Sequence, residues 1–418
     1  MPAMRRRHVV LLVETSNAYA RGLLVGVHRY VVQSRTWSLY LAEHSRQETD
    51  FSWMEGWRGD GVLARIETAG AAQLVEQLAL PTVDLSAGRL LPDLPGVETD
   101  DRAIAHAAIQ HFVERGLRHL AFCGDARFAW SESRRRFFVT RARDLGIEPH
   151  LIDIRTSAMR AVERTMLADW LRELPKPVGV LSCYDIAGQE VLEACHMADI
   201  PVPDAVAVLG VDNDEMIANL TSPPLSSVEP NVVRTGFLAA SMLDRMMAGQ
   251  EVEPGLRLIP PLRVVARQSS DILAVDDPDV ATALRLIRDN ADRDLQVTDV
   301  LRAVGLSRRS LDYRFVAAVG RTVSAEITRV RMARVAELLT TTQWTLQRVA
   351  ERLGFPHAEY MGVAFKRVTG LSPGAYRREM SNALTPRPHW IDGEEGELGD
   401  GSIALLEEND RASKRGHR

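Results

Sequence analysis

Cysteine is scarce: Cys123, Cys183 and Cys195 are the only three in 418 residues. They form no Cys-x-x-Cys pair and no even set, which excludes a disulfide scaffold or zinc ribbon and points to a reducing, cytoplasmic compartment. Long apolar runs are missing as well, since no segment approaches the ~20 residues that span a bilayer. The opening MPAMRRRHVVLLVETSNAYA has a basic start and an AYA that imitates a cleavage site. Its apolar run, VVLLV, is five residues long and ends at Glu14, too short for a signal-peptide core. It reads instead as a first buried β-strand. Also absent are GxxxxGK[ST], HExxH and GxSxG patterns, and any cysteine–histidine pair with a defined role. Cys195–His196 sits in a helical pattern and reads as packing. No metal site, cofactor or membrane partner is expected.

What is present is 45% apolar and 26% charged residues, a soluble globular composition too long for one ordinary core. The net charge of −5 is unevenly spread. Residues 281–380 hold 17 Lys+Arg against 10 Asp+Glu, a balance of +7. The 280 residues before them sum to −9 and the tail 381–418 to −3. A basic module on an acidic body suggests a polyanion partner for the module alone.

From His8 to about Arg267 short apolar runs alternate with amphipathic stretches: HVVLLVE, WSLYLAE, GVLARI, PTVDLS, GVET, HLAFCG, HLIDI, PVGVLSCY, VAVLGVD and LSSVEP, with helical patterns between many of them. Strand–helix alternation over this length predicts parallel sheets in two doubly wound α/β lobes, over residues 8–268. Residues 269–280 read as a polar, acidic linker, 281–380 as wholly helical, and 381–418, rich in Gly, Pro and acid, as a disordered tail.

Within the helical module VTDVLRAVGLSRRSLDYRFVAAVG (Val297–Gly320) and WTLQRVAERLGFPHAEYMGVAFKRVTG (Trp344–Gly370) share one layout. A short amphipathic helix is followed by a glycine, Gly305 or Gly354, suited to a left-handed turn. An apolar plug, Leu306 or Phe355, precedes a second helix rich in basic and aromatic residues. That is a helix–turn–helix, whose second helix enters the DNA major groove. Ser307, Arg308, Arg309, Asp312 and Tyr313, and His357, Ala358, Glu359 and Tyr360, are candidates for base edges. Arg314, Lys366, Arg367, Arg377 and Arg378 are candidates for phosphates. A solvated surface helix is the plain alternative for any one of them. The run Ala336, Leu338, Leu339, Val349, Ala350, Gly354, Phe355, Phe365, Lys366, Gly370, Ser372, Pro373, Tyr376 and Arg377 resembles the AraC-type DNA-binding module. The sequence departs from that pattern at YMGVAF, where Val363 stands in place of a polar contact.

In the α/β part, TSNAYARG, YDIAG and DNDEM each follow a predicted strand, as does DARFAWSESRRRFF, and ligands of parallel sheets bind beyond strand carboxyl ends. Asp185, Asp212 and Asn213 could accept from vicinal hydroxyls, Arg134 could donate a fork, and Tyr19 or Trp130 could lie against a sugar's C–H face. A helix N-cap is the ordinary reading of Asp185. VLGVDNDE, PVGVLSCYDIAG, VETDDRAIAHAAIQHFVERGLRHLAF and SSVEPNVVRTGFLAASMLDRMMAG resemble the ligand-binding domain of LacI-type repressors and periplasmic sugar-binding proteins. The LacI-type headpiece is missing, since seven residues precede the first strand. A LacI-like core ahead of an AraC-like module resembles the xylose-operon regulators. By that resemblance Arg134, Asp185 and Asp212 match sugar-binding positions, with Tyr184 where relatives carry a small polar residue. It implies a homodimeric activator binding double-stranded DNA and D-xylose, with RNA polymerase as a further partner. Two alternatives stay open: the same architecture with another sugar or a purine as effector, or a sugar-processing enzyme using Asp185 and Asp212 as paired carboxylates.

Overall fold

The computed structural model describes residues 6–384 apart from 35–36, 43–50, 55, 156–160, 273–274, 276 and 343. The stretch from 385 onward, most of the tail expected to be disordered, lies outside the described residues. The chain divides into two units, Met1–Asp276 and Asp277–Arg418.

The first unit holds two six-stranded sheets. The chain first lays down β1 (Arg7–Leu12), β2 (Trp37–Leu41), β3 (Gly61–Ala64), β4 (Thr82–Asp84) and β5 (Pro95–Thr99). It then crosses to a second lobe and builds β6 (His119–Gly124), β7 (His150–Asp153), β8 (Val178–Ser182), β9 (Val206–Val211) and β10 (Ser226–Glu229). A return pass adds β11 (Gly255–Ile259) to the first sheet and β12 (Arg263–Val265) to the second. The orders are β11-β5-β4-β3-β1-β2 and β12-β10-β9-β8-β6-β7. Among the described residues every pairing is parallel except β10 with β12. Strands buried on both faces explain the unbroken apolar runs in β8 and β9. Helices α1 (Ala18–Ser34), α2 (Ala69–Leu78), α3 (Asp101–Val113), α4 (Ala129–Asp144), α5 (Ala161–Glu173), α6 (Asp185–Met197), α7 (Glu215–Leu220) and α8 (Val232–Met247) are the crossovers. Three short passages join the lobes, and they are stitched together where the Asp100 N–H donates to the Ile259 carbonyl and the Leu262 N–H to the Glu229 carbonyl, each at 2.8 Å.

The expected two-lobed α/β architecture is what is found, with two strands, β11 and β12, beyond those expected. The stretch DARFAWSESRRRFF after β6 is mostly helical, since α4 begins at Ala129. The stretch read as a linker over 269–280 is used otherwise. Ser269 and Ser270 are buried in the first unit, where the Ser269 hydroxyl donates to the Val208 carbonyl at 2.7 Å. Asp277 caps the next helix.

The second unit is all helical: α9 (Pro278–Asp289), α10 (Val297–Val304), α11 (Arg308–Val319), α12 (Val323–Thr341), α13 (Leu346–Arg352), α14 (Ala358–Thr369) and α15 (Pro373–Leu384). Gly305 and Gly354 have φ of 68° and 67°, the left-handed turns that end the first helix of each pair, between α10 and α11 and between α13 and α14. Leu311 and Phe315 bury one side of α11, and Met361 and Phe365 do the same for α14. The second pair closes a core with Met332, Val335, Leu339, Val349, Leu353 and Phe355.

Candidate ligand cleft and nucleic-acid interface

In the second lobe, Asp185 and Asp212 lie just past the ends of β8 and β9. Asp185 is 1% exposed. Tyr184 holds the N-cap position of α6 and makes no side-chain cap bond, so Asp185 is not the helix cap. Its carboxylate accepts from the Asp214 N–H at 2.7 Å and the Ser227 hydroxyl at 2.6 Å. Burial, and then the negative charge of Asp212, push its pKa well above the ordinary carboxylate range. Asp212 and Asn213 have φ of 113° and 51°, a conformation non-glycine residues adopt at a cost. The Asp212 N–H donates to the Val228 carbonyl at 3.1 Å. Asn213 is held on both sides, its N–H donating to the Ser227 hydroxyl at 3.0 Å and its Oδ1 accepting from Arg267 at 2.8 Å.

Arg134 projects from α4 and is 3% exposed. Its fork was expected to meet a ligand. Here Nε and Nη2 donate to Asp101 Oδ1 at 3.1 and 2.8 Å, and Nη1 donates to the Cys183 carbonyl. Burial opposes its charge, and Asp101 and then Asp212 outweigh burial, holding the guanidinium above its ordinary range. Arg134 also lies 5.6 Å from the centre of the Trp130 ring. Trp130 stacks on Phe128 at 5.1 Å and meets Tyr184 edge-on at 5.4 Å. Tyr184, standing where relatives carry a small polar residue, is thus part of an aromatic wall.

Tyr19, on α1 in the first lobe, donates to Glu98 and lies under Arg65, 5.0 Å from its ring centre. Arg65 bridges Glu14 and Glu67, the latter at 2.7 Å. Burial opposes the Arg65 charge, but Glu14 and Glu67 hold it above its ordinary range. Burial pushes the Glu98 carboxyl up to about 7, against the pull of Arg65 and Tyr19. Asp101 pairs with Arg134 and also adds its negative charge to Glu98, so the polar groups of the two lobes act on one another electrostatically. Glu14, Arg65, Glu98 and Asp101 were not singled out from the sequence. Only Glu14, at the end of VVLLV, carried a positional signal.

The second unit sorts the nucleic-acid candidates. Ser307 caps α11, accepting from the Ser310 N–H at 3.3 Å. Arg308 lies 3.7 Å from Asp312 across one turn. Arg309 and Tyr313 are exposed, and so are His357, Glu359, Tyr360, Lys366, Arg367 and Arg378. Ala358 is half-buried against the core of its own unit. Two expected phosphate contacts are otherwise engaged. Arg314 forks onto Asp277 at 2.5 Å with both nitrogens and reaches Asp279 at 2.9 Å, tying α11 to the start of α9. Arg377 donates to the Leu339 and Trp344 carbonyls at 3.0 and 2.7 Å, closing the end of α12. A charge count cannot distinguish an arginine facing phosphate from one satisfying carbonyls in its own fold.

Among the described residues no helix is long and apolar enough to cross a membrane. Residues 8–101 match the XylR N-terminal domain family, 109–270 a periplasmic binding protein-like domain, and 300–379 a helix-turn-helix domain. The xylose operon regulatory protein of Escherichia coli (strain K12) is 29% identical over 391 residues, covering 91% of this chain and 99% of that one. Its namesake in Haemophilus influenzae is 28% identical over 379 residues, covering 88% and 97%. The solved structure of a xylose-binding transcription activator XylR superposes with a TM-score of 0.73 at 28% identity, covering 90% of this chain and 98% of that one. With two α/β lobes ahead of paired helix–turn–helix elements, the chain is a XylR-like transcription regulator with an AraC-type DNA-binding unit.

Proposed function

We propose that the first unit binds a pentose, D-xylose foremost, and that this binding sets the DNA affinity of a homodimer that activates sugar-catabolic genes through RNA polymerase. The carrying observation is the gathering of buried polar groups at the strand ends. It gathers acceptors for vicinal hydroxyls at Asp185 and Asp212, and aromatic faces at Trp130 and Tyr184 for the ring's C–H side. Candidate ligand residues are Tyr19, Trp130, Arg134, Asp185, Asp212 and Asn213. The names carried by the full-length relatives favour xylose over a hexose or purine. A sugar can bias DNA binding only through different affinities for two arrangements of the lobes, and the three short passages between lobes are where such a change would be absorbed.

In the second unit α11 and α14 are the reading helices. α12, with 19 residues, sets them apart by about 28 Å at 1.5 Å per residue, which suits two successive major-groove faces about 34 Å apart once side chains are added. A thermal-shift panel of pentoses, hexoses and purines tests the effector. A rise in the first unit's melting temperature with D-xylose, larger than with any hexose, supports the reading. A response to purines alone refutes it.

A further inference from the structure

We propose that α14 reads thymine through Val363, whose methyl groups meet the C5 methyl of the base in the major groove. The proposal rests on the reading that α14 enters that groove. Met361 and Phe365 bury one side of α14. At 3.6 residues per turn Val363 falls on the opposite side, at the outward crest of the helix. It is 72% exposed. Folding does not account for it: a β-branched residue in mid-helix costs propensity, and an exposed one buries nothing in return. Its neighbours one turn away on the same side are Glu359, Tyr360, Lys366 and Arg367, all exposed. An apolar crest flanked by three charged side chains and one tyrosine therefore lies on the face that would meet DNA.

The two reading helices agree on this. Tyr313 stands two residues before Phe315 as Val363 stands two before Phe365, and it is 78% exposed. The tyrosine keeps a hydroxyl that can donate or accept, whereas the valine has no hydrogen-bonding side-chain atom. A valine therefore cannot read guanine O6 and N7, adenine N7 and N6, or the cytosine amino group. In the major groove the C5 methyl of thymine is the one apolar group a base presents. Lys366 and Arg367 supply phosphate contacts that seat the helix without specifying sequence. Glu359 would be repelled by phosphates and is left for the amino edge of a base beside the thymine.

The test uses the full-length protein and duplexes selected from a random pool. Each thymine of the selected site is replaced singly by deoxyuridine, which removes only the C5 methyl. One replacement is expected to weaken wild-type binding about three- to fivefold, the size of one lost methyl burial. In Val363→Ala that penalty should vanish, and in Val363→Thr, which keeps a methyl group, it should remain. The proposal is overturned if no uracil replacement is selectively silenced by Val363→Ala. If Lys366→Ala and Arg367→Ala still lower affinity in that case, α14 docks on DNA and only the thymine reading fails. If those two also have no effect, the docking of α14 fails with it. If Val363→Ala impairs transcription activation and leaves every DNA affinity unchanged, the crest meets a protein and the proposal falls.

Discussion

Replacing Arg134 by methionine removes the guanidinium that joins α4 to Asp101 and to the Cys183 carbonyl, while keeping an apolar stem of similar length. Both partners of the ion pair are buried. Deleting one partner of such a pair costs about 3–5 kcal/mol, because the other charge is left uncompensated. At about 2–4 °C per kcal/mol for a unit of this size, the first unit's melting temperature should fall by roughly 6–20 °C. The loss should also depend on pH. Burial already lifts the Asp101 carboxyl above its ordinary value against the pull of Arg134, so removing Arg134 lifts it further. A carboxyl whose folded pKa exceeds its unfolded one loses stability as pH rises from the unfolded value through the folded one. The deficit should therefore be larger at pH 8 than at pH 5. Adding Asp101→Asn removes the stranded charge and should recover half or more of the loss. Differential scanning calorimetry at the two pH values checks this. A single variant within about 2 °C of wild type at pH 8, an equal deficit at both pH values, or a double variant less stable than the single would refute the reasoning.

Glu98, lifted from its ordinary 4.5 to about 7 by burial, should cost the first unit on the order of 3 kcal/mol as pH climbs between those values. In Glu98→Gln the melting temperature should therefore fall less between pH 5 and pH 8 than in wild type. In the second unit, Lys366→Ala or Arg367→Ala should each flatten the log–log salt dependence of DNA affinity by about 0.9 per lost phosphate contact. Arg314→Ala, whose partners are Asp277 and Asp279, should lower the unit's melting temperature and leave that slope unchanged. Gly305→Ala places a Cβ on a residue at φ 68° and should destabilise the second unit by about 1 kcal/mol, visible as an earlier helical unfolding transition by circular dichroism.

The paired helix–turn–helix elements were legible because each depends on local signals a few residues apart: a turn glycine, an apolar plug, and two buried residues at i and i+4. The parallel lobes were legible because strands buried on both faces read as unbroken apolar runs. β11 escaped because four of its five residues are exposed, leaving no apolar run, and its place is set by pairing with β5. α4 is hard to read from sequence because WSESRRR carries no apolar stripe: Trp130, Phe138 and Ala142 are the apolar residues it buries. The strand-end aspartates were singled out by their position after a strand and by the family resemblance. Glu14, Arg65 and Glu98 were not, since strands far apart in the chain are brought together only by the sheet order. The partners of Arg314 and Arg377 within their own unit escaped for a related reason. Sequence reveals an arginine's charge, but only the folded chain shows whether a carboxylate, a carbonyl or solvent faces it.

The most direct test of the account is the affinity of the full-length protein for a selected duplex, measured with and without saturating D-xylose, for wild type and Asp212→Asn. The account predicts that D-xylose changes wild-type affinity at least severalfold. It predicts that Asp212→Asn loses this response and keeps the sugar-free affinity of wild type. An equal response in Asp212→Asn would contradict the placement of the cleft, and a wild-type affinity unmoved by D-xylose or any other pentose would contradict the coupling of sugar sensing to DNA reading.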